Sequence, residues 1–520
     1  MIACEAGLPN SRNHDGVGPV LLRTRWMLVV VLLCGWALRI SYLDRLSIWL
    51  DEAYTIYAAQ QDLDSFFRFL AAMEHPPLYF LLLRCATQLL GAGAFVWRFL
   101  SVGAGMLSIL GIYLLARRIA VPSVSLGAAL LLAVSPYHVW HSRDVRMYEL
   151  YFAFGLFSSY FLLRGLESGT RGSWMGYVLS SLAGLYTLNV MVLVFMVQWI
   201  YCLLLVRRYA ERLRAMALAV ASIGIGYAPW LPVLLIQSQH VNQYFWIARP
   251  TWHQVRGTLL NFYSAFLFSN SPWHPTLGQL PYSLVYVVLP IGVVLGLYHL
   301  LRARNFRALA SMSLLLAIPI GAVYLASQYK PIYLDRTVIV GSAGLLLLVS
   351  TGCLGSRERW GRVVGVVLFL GVLGTNLYSA YRLHTVGEKE DWRGAARLVA
   401  GQVRQGDLVL VDSGLNQIAF DLYFGRYGPP VSSRGYPLDY AHWRTQRHGS
   451  GTRWWILDFV HFDGQAAQKR LESLLADASR VWLVVNRPLG GEELQQMLAA
   501  WSDGTPEVHH MNRISVILYP

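Results

Sequence analysis

Apolar runs of roughly 18–22 residues recur between Met27 and Tyr381, and no other feature of the chain restricts its fold so strongly. A run of that length, coiled as a helix, reaches across the ~30 Å hydrocarbon core of a bilayer. Inside that core every backbone N–H and C=O needs a partner within the protein, which makes the helix the spanning element for such runs. Composition agrees: 55% of the residues are hydrophobic, 14% are charged and mean hydropathy is +0.42. The pattern is that of a polytopic α-helical membrane protein, with the lipid bilayer as its first partner. The formal charge of +14 would also suit a nucleic-acid binder. Its placement argues otherwise. Much of the surplus Arg sits in short loops between apolar runs, as the positive-inside bias predicts, and no nucleic-acid partner is expected.

The same bias orders the spans. Residues 1–25 read as a cytoplasmic tail ending in Arg23 and Arg25, and Met27–Leu43 as a retained anchor without a small-residue cleavage site. Trp49-Leu50-Asp51-Glu52-Ala53-Tyr54 then emerges on the extracytoplasmic side, in a first loop covering 44–97. His75–Leu90 is apolar but short and carries Arg84 in its middle, so it reads as an interfacial helix. With that choice Arg117-Arg118, Arg164, Arg171, Arg207, Arg208, Arg302, Arg304, Arg357 and Arg359 all fall on the cytoplasmic side. Counting His75–Leu90 as a span would put them on the other. The expectation is about eleven spans within a module over 26–382.

Beyond Tyr381 the composition changes. Residues 383–520 contain no run long enough to span. Asp407–Asp412, Trp454–Phe459, Val481–Asn486 and Ile514–Tyr519 read as strands, and Gln417–Tyr427, Gln465–Ala476 and Gly491–Trp501 as helices. Their alternation predicts a small α/β domain on the extracytoplasmic side. The five cysteines show no CxxC or Cys/His spacing, and no HxxxH occurs, so no metal site is expected.

The outward loops carry the chemistry. The first offers Asp51, Glu52, Glu74 and His75; the second offers Arg143, Asp144, Arg146 and Tyr148; a third offers Lys330, Tyr333 and Arg336. A carboxylate suits a general base that takes a proton from an attacking hydroxyl. Guanidinium and ammonium groups suit an anionic leaving group such as phosphate. Together they suggest group transfer from a phosphate carrier to a hydroxyl at the membrane surface. Each piece also has a plainer use: acids early in a helix cap it, and arginines at an interface snorkel. His75 before Pro76-Pro77 fits a structural role better than metal ligation.

The order Trp49-Leu50-Asp51-Glu52, His75-Pro76-Pro77-Leu78-Tyr79 and Arg98-Phe99-Leu100-Ser101 resembles the polytopic GT-C glycosyltransferases. Within them it is most similar to the bacterial protein-O-mannosyltransferase-like and aminoarabinose-transferase-like group. Ser142-Arg143-Asp144-Val145-Arg146-Met147-Tyr148, Lys330-Pro331-Ile332-Tyr333-Leu334-Asp335-Arg336 and Glu390-Asp391-Trp392-Arg393 also look familial. The resemblance covers roughly Trp26–Ala396. It implies a GT-C fold in the inner (plasma) membrane and a hexosyl- or pentosyltransferase with a polyprenyl-phosphate-linked sugar donor. The acceptor hydroxyl would belong to a glycan, lipid or protein, and the anomeric carbon would usually be inverted. Asp51 would be the base, with Glu52 assisting or orienting. Glu74 and His75 match positions where relatives carry an acid followed by Lys or His. Arg146, with Arg143, Lys330 and Arg336, would steady the donor phosphate, and Tyr148 and Tyr333 line the same loops. No cofactor is required on this reading, although paired carboxylates can hold Mg²⁺ or Mn²⁺. The alternative is a transporter or lipid-carrier flippase, which would be expected to show paired repeats and mid-span charges. No repeat is visible here.

Overall fold

The computed structural model of the protein describes residues 17–73, 75–244, 247–264, 282–386, 389–440, 464–486 and 492–520. Glu74 and the expected strand Trp454–Phe459 lie outside these residues.

Helices dominate up to residue 386. Among the described residues, Ala94–Ile119, Ala210–Ser238, Phe306–Tyr329 and Arg359–Thr385 are long and apolar enough to cross a bilayer. The pair Pro122–Val134 and Pro136–Ser142 makes a fifth candidate, bent by 59°. The bend has a local cause. Pro136 has no N–H to continue the first helix, and the Ser135 hydroxyl accepts from His138 N to start the second. The apolar run through Val124–Trp140 is therefore broken into two helices. The helices Tyr148–Ser168, Arg171–Thr187 and Gly341–Leu354 fall short of that length or apolarity. Leu78–Leu90 has 13 residues, which at 1.5 Å each is roughly 20 Å, less than the hydrocarbon core.

Gly341–Leu354 is apolar on all sides and buried from Gly341 through Cys353, so it is a core helix of the bundle. Its Gly352 lies against the backbone of Gly292 and Gly296 on Tyr282–Arg302, where a Cβ would meet the Gly292 carbonyl. Small residues permit this close approach of two helices in a setting where apolar burial alone cannot drive association.

The C-terminal region contains a five-stranded sheet of β1 Asp407–Asp412, β2 Ser433–Tyr436, β3 Arg480–Asn486, β4 Glu507–His510 and β5 Ile514–Tyr519. The strand order is β2-β1-β3-β5-β4, with β2, β1 and β3 parallel and β5 antiparallel to both β3 and β4. Alternation along the strands sorts the core into two layers. Leu408, Leu410, Leu483 and Val485 pack with Leu471, Leu494 and Leu498 from Gly464–Leu475 and Glu492–Trp501. Val409, Val411, Trp482 and Val484 join Trp392, Val399, Ile418 and Phe420 from Trp392–Gln402 and Gly414–Phe424. This second layer is continuous with the core of the helical bundle. The sheet domain is therefore packed onto the membrane module.

Candidate active site

The helix Leu50–Gln60 places two acids in its first turn, where the partial positive charge of the helix end favours carboxylates. Neighbouring residues on a helix project about 100° apart, so adjacent acids meet different surroundings. Asp51 keeps 26% side-chain exposure, while Glu52 has none.

The Asp51 carboxylate faces two guanidiniums. Arg336 Nη1 donates to its Oδ2 at 3.2 Å, and Arg146 Nη2 lies 3.9 Å from the same oxygen. Arg146 is fixed on several sides. Its Nη1 donates to Asp51 O at 3.2 Å and Thr55 Oγ1 at 3.1 Å, and its Nη2 donates to His75 Nε2 at 3.0 Å and the Tyr148 hydroxyl at 3.4 Å. A guanidinium has no acceptor, so His75 offers the Nε2 lone pair and is neutral. Burial first, then the charges of Arg146 and Arg336, hold its imidazole well below the usual 6.5. Tyr148 lies under both cations, with the guanidinium carbons of Arg146 and Arg336 at 5.6 and 5.4 Å from its ring centre. The buried Nε–H groups of Arg146 and Arg336 have no hydrogen-bond partner among the described residues. Two fixed cations with donors to spare, beside a partly exposed carboxylate, chemically suit an anion such as phosphate next to a proton acceptor.

Glu52, expected to assist or orient, sits among different partners from Asp51. Arg98 grips it bidentately, Nε to Oε1 at 2.8 Å and Nη2 to Oε2 at 2.7 Å. Val145 N donates to Oε1 at 3.0 Å and Trp49 N to Oε2 at 3.3 Å, and Lys389 Nζ sits 3.1 Å from Oε2. Both oxygens are fully engaged, so this carboxylate is a brace. Arg143 also differs from expectation: it donates to Tyr42 O and His384 Nδ1, both at 2.8 Å, and has no ion pair with Asp51 among the described residues. The Tyr333 hydroxyl is buried and donates to Thr258 Oγ1 at 2.9 Å. The Lys330 backbone N–H ends the helix Phe306–Tyr329 on Ala326 O. The structure thus gathers Asp51, His75, Arg146, Tyr148 and Arg336, bonds Arg143 and Tyr333 elsewhere, and does not describe Glu74.

Four contributors, Arg98, Asp144, Lys389 and Glu390, had no role assigned from sequence. Arg98 has a buried side chain and also donates to the carbonyls of Leu43, Leu46 and Ser47. Asp144 accepts from Trp49 Nε1 at 2.7 Å and Lys389 Nζ at 2.9 Å. Burial pushes the Asp144 carboxyl up, but the Lys389 ammonium and the indole N–H outweigh it and leave the group below its usual range. Glu390 accepts from Leu50 N, Trp392 Nε1 and Asn486 Nδ2. The signal for the last two was the charge run Glu388-Lys389-Glu390-Asp391, which stands at the entrance to a sheet domain.

The family model described as dolichyl-phosphate-mannose-protein mannosyltransferase matches residues 74–236. Among solved structures, ArnT from Cupriavidus metallidurans bound to undecaprenyl phosphate superposes with a TM-score of 0.55 at 15% identity, covering 97% of this chain and 98% of that one. The chain has the GT-C fold. An oligosaccharyltransferase from Archaeoglobus fulgidus, solved with zinc and sulfate, shares this GT-C architecture with a TM-score of 0.55 at 11% identity over 92% of this chain and 70% of that one. No curated protein sequence matches the chain.

Proposed function

We propose that the protein is a membrane glycosyltransferase that moves a sugar from a polyprenyl-phosphate-linked donor to an acceptor hydroxyl, with Asp51 as the general base. The observation that carries this reading is the juxtaposition of the Asp51 carboxylate with the guanidiniums of the buried Arg146 and the part-buried Arg336. As the acceptor oxygen attacks the anomeric carbon, Asp51 takes its proton and the carrier phosphate leaves with the bonding electrons. Arg146 and Arg336 meet the charge that grows on that phosphate. A base on one face of the sugar and a leaving group on the other make a single displacement, which inverts the anomeric carbon. Glu52 serves as the brace of the helix that carries the base. The ArnT structure holds undecaprenyl phosphate, and the same class of carrier is assigned here by likeness of fold and by the arginine pair. The sheet domain shares a face with this site, and that face is read as extracytoplasmic.

Purified protein in nanodiscs tests the reading. Transfer from a polyprenyl-phosphate sugar, absent with the matching nucleotide sugar and with Asp51→Ala, is the expected result. Turnover of the nucleotide sugar, or full activity of a folded Asp51→Ala, would refute it.

A further inference from the structure

We propose that the sheet domain sets the position of the catalytic loop through the two residues at its entrance, Lys389 and Glu390, which are positioning residues for the transfer. The inference rests on the function proposed above for its catalytic consequence, and on geometry alone for its mechanical one.

The Lys389 side chain is only 5% exposed, and an ammonium is costly to strip of water. It is compensated from both loops that build the site. Nζ lies 3.1 Å from Glu52 Oε2, next to Asp51, and 2.9 Å from Asp144 Oδ1, two residues before Arg146. The rings of Trp49 and Trp140 face it at 5.8 and 5.0 Å. Arg146 N in turn donates to Asp144 O at 2.7 Å. One cation therefore ties the residue beside the base to the turn that carries the phosphate arginine.

Glu390 makes the second tie. Its Oε2 accepts from Leu50 N at 3.3 Å, one of the first-turn amides that a helix cannot satisfy itself. The same oxygen takes Trp392 Nε1 at 2.6 Å, and Oε1 takes Nδ2 of Asn486, the last residue of β3, at 3.1 Å. A path of direct contacts thus runs from the end of a sheet strand to the amide immediately before Asp51. Three further contacts press the same way. Ile48 N donates to the Tyr423 hydroxyl at 2.7 Å, Arg393 N donates to Ser47 Oγ at 3.1 Å, and the Arg426 guanidinium covers the Trp97 ring at 5.4 Å. A base displaced by about 1 Å from its attack geometry loses on the order of 10²-fold in rate. Loosening this clamp is therefore expected to lower kcat while leaving the donor KM nearly unchanged, because Arg146 keeps its contacts to Thr55, His75 and Tyr148.

The test pairs kinetics with backbone hydrogen exchange on the full-length protein in nanodiscs, for Lys389→Met, Lys389→Arg, Glu390→Ala and Glu390→Gln. Lys389→Met and Glu390→Ala are expected to lose about 10- to 100-fold in kcat with KM within about twofold. Exchange over residues 50–53 and 144–147 should rise while the rest of the helical bundle keeps its protection. Lys389→Arg keeps the cation, and Glu390→Gln keeps one acceptor oxygen for Leu50 N and Trp392 Nε1 while its NH2 can donate to the Asn486 side-chain carbonyl oxygen once that amide flips, so both should recover most of the rate and the protection. Where the Met or Ala variant fails to fold, the Arg and Gln variants carry the comparison. Unchanged exchange in residues 50–53, or a folded Lys389→Met with wild-type kcat, would overturn the clamp. If the wild-type protein transfers no sugar, the proposed function fails, and the exchange result still decides the clamp.

Discussion

Arg98 and Arg118 lie near opposite ends of one helix, Ala94–Ile119, and the protein uses them in opposite ways. Arg98 is sealed from solvent; it holds Glu52 through Nε and Nη2, and the carbonyls of Leu43, Leu46 and Ser47 through Nη1 and Nη2. Arg118 keeps 33% of its side chain exposed, lies beside Tyr160 and pairs with Glu167, which also meets Arg307. Around Asp51 the cations are architecture and site; at the far end they look outward in the pattern that the positive-inside bias predicts. Burial makes the difference. A dry ion pair cannot lose one partner without stranding the other, whereas a wet pair has water as a substitute.

Substitutions should break this comparison in a fixed order. Glu52→Gln strands the charge of Arg98 in the interior and leaves Lys389 with Asp144 alone, and should cost about 3–5 kcal/mol of stability in a denaturant or thermal unfolding series. A cost below about 1 kcal/mol would show that the buried network is no brace. Arg336→Ala should weaken donor binding by about 10- to 100-fold, the scale of one hydrogen bond to a charged group, with melting close to wild type. Titration with polyprenyl phosphate checks this, and undiminished affinity would remove Arg336 from the phosphate site.

His75 gives a finer test. Burial, Arg146 and Arg336 keep its ring neutral, with a folded pKa below the ordinary 6.5. A depressed value means that its stabilising contribution is complete above about pH 6.5 and is lost only as pH falls toward the lowered value. His75→Gln, which keeps an acceptor for Arg146, should therefore leave the shape of the kcat/KM profile between about pH 6.5 and 8 unchanged. Loss of an inflection in that window would show that the ring titrates there. The smallest effect belongs to the exposed end: Arg118→Gln should shift stability by less than about 1 kcal/mol and leave transfer untouched. A larger change would mean that the two ends are not as different as their burial indicates.

The helical bundle and the inner strands were readable because each repeats locally, by apolar run length in one case and by β-branched strings in the other. The strands β2 Ser433–Tyr436 and β4 Glu507–His510 were not. They are four residues each, stand at the two sheet edges and carry little apolar alternation, as edge strands tend to do. The break at Pro136 was visible as a residue but not as a bend, because the apolar run continues through it. In the site, Asp51, His75, Arg146, Tyr148 and Arg336 could be grouped from an expected shared side of the membrane and the family resemblance, but only together with Arg143, Lys330 and Tyr333. The division of labour within Asp51-Glu52 could not, since it depends on Arg98, 46 residues away, and on a domain whose Glu390 lies 340 residues from Leu50. Arg143 and Arg146 look equivalent in sequence and part company only because a turn at Asp144 sends one to Tyr42 and His384 and the other to Asp51.

The central claim is that Asp51 takes the acceptor's proton while the arginines hold the phosphate, and Asp51→Asn separates the two most directly. Asparagine keeps the size of the side chain and removes its basicity. Single-turnover transfer from a polyprenyl-phosphate sugar should fall by about 10²–10⁴-fold, with affinity for polyprenyl phosphate retained or raised as the competing carboxylate disappears. A folded Asp51→Asn that transfers at the wild-type rate, or one that fails to bind the carrier, would contradict the account.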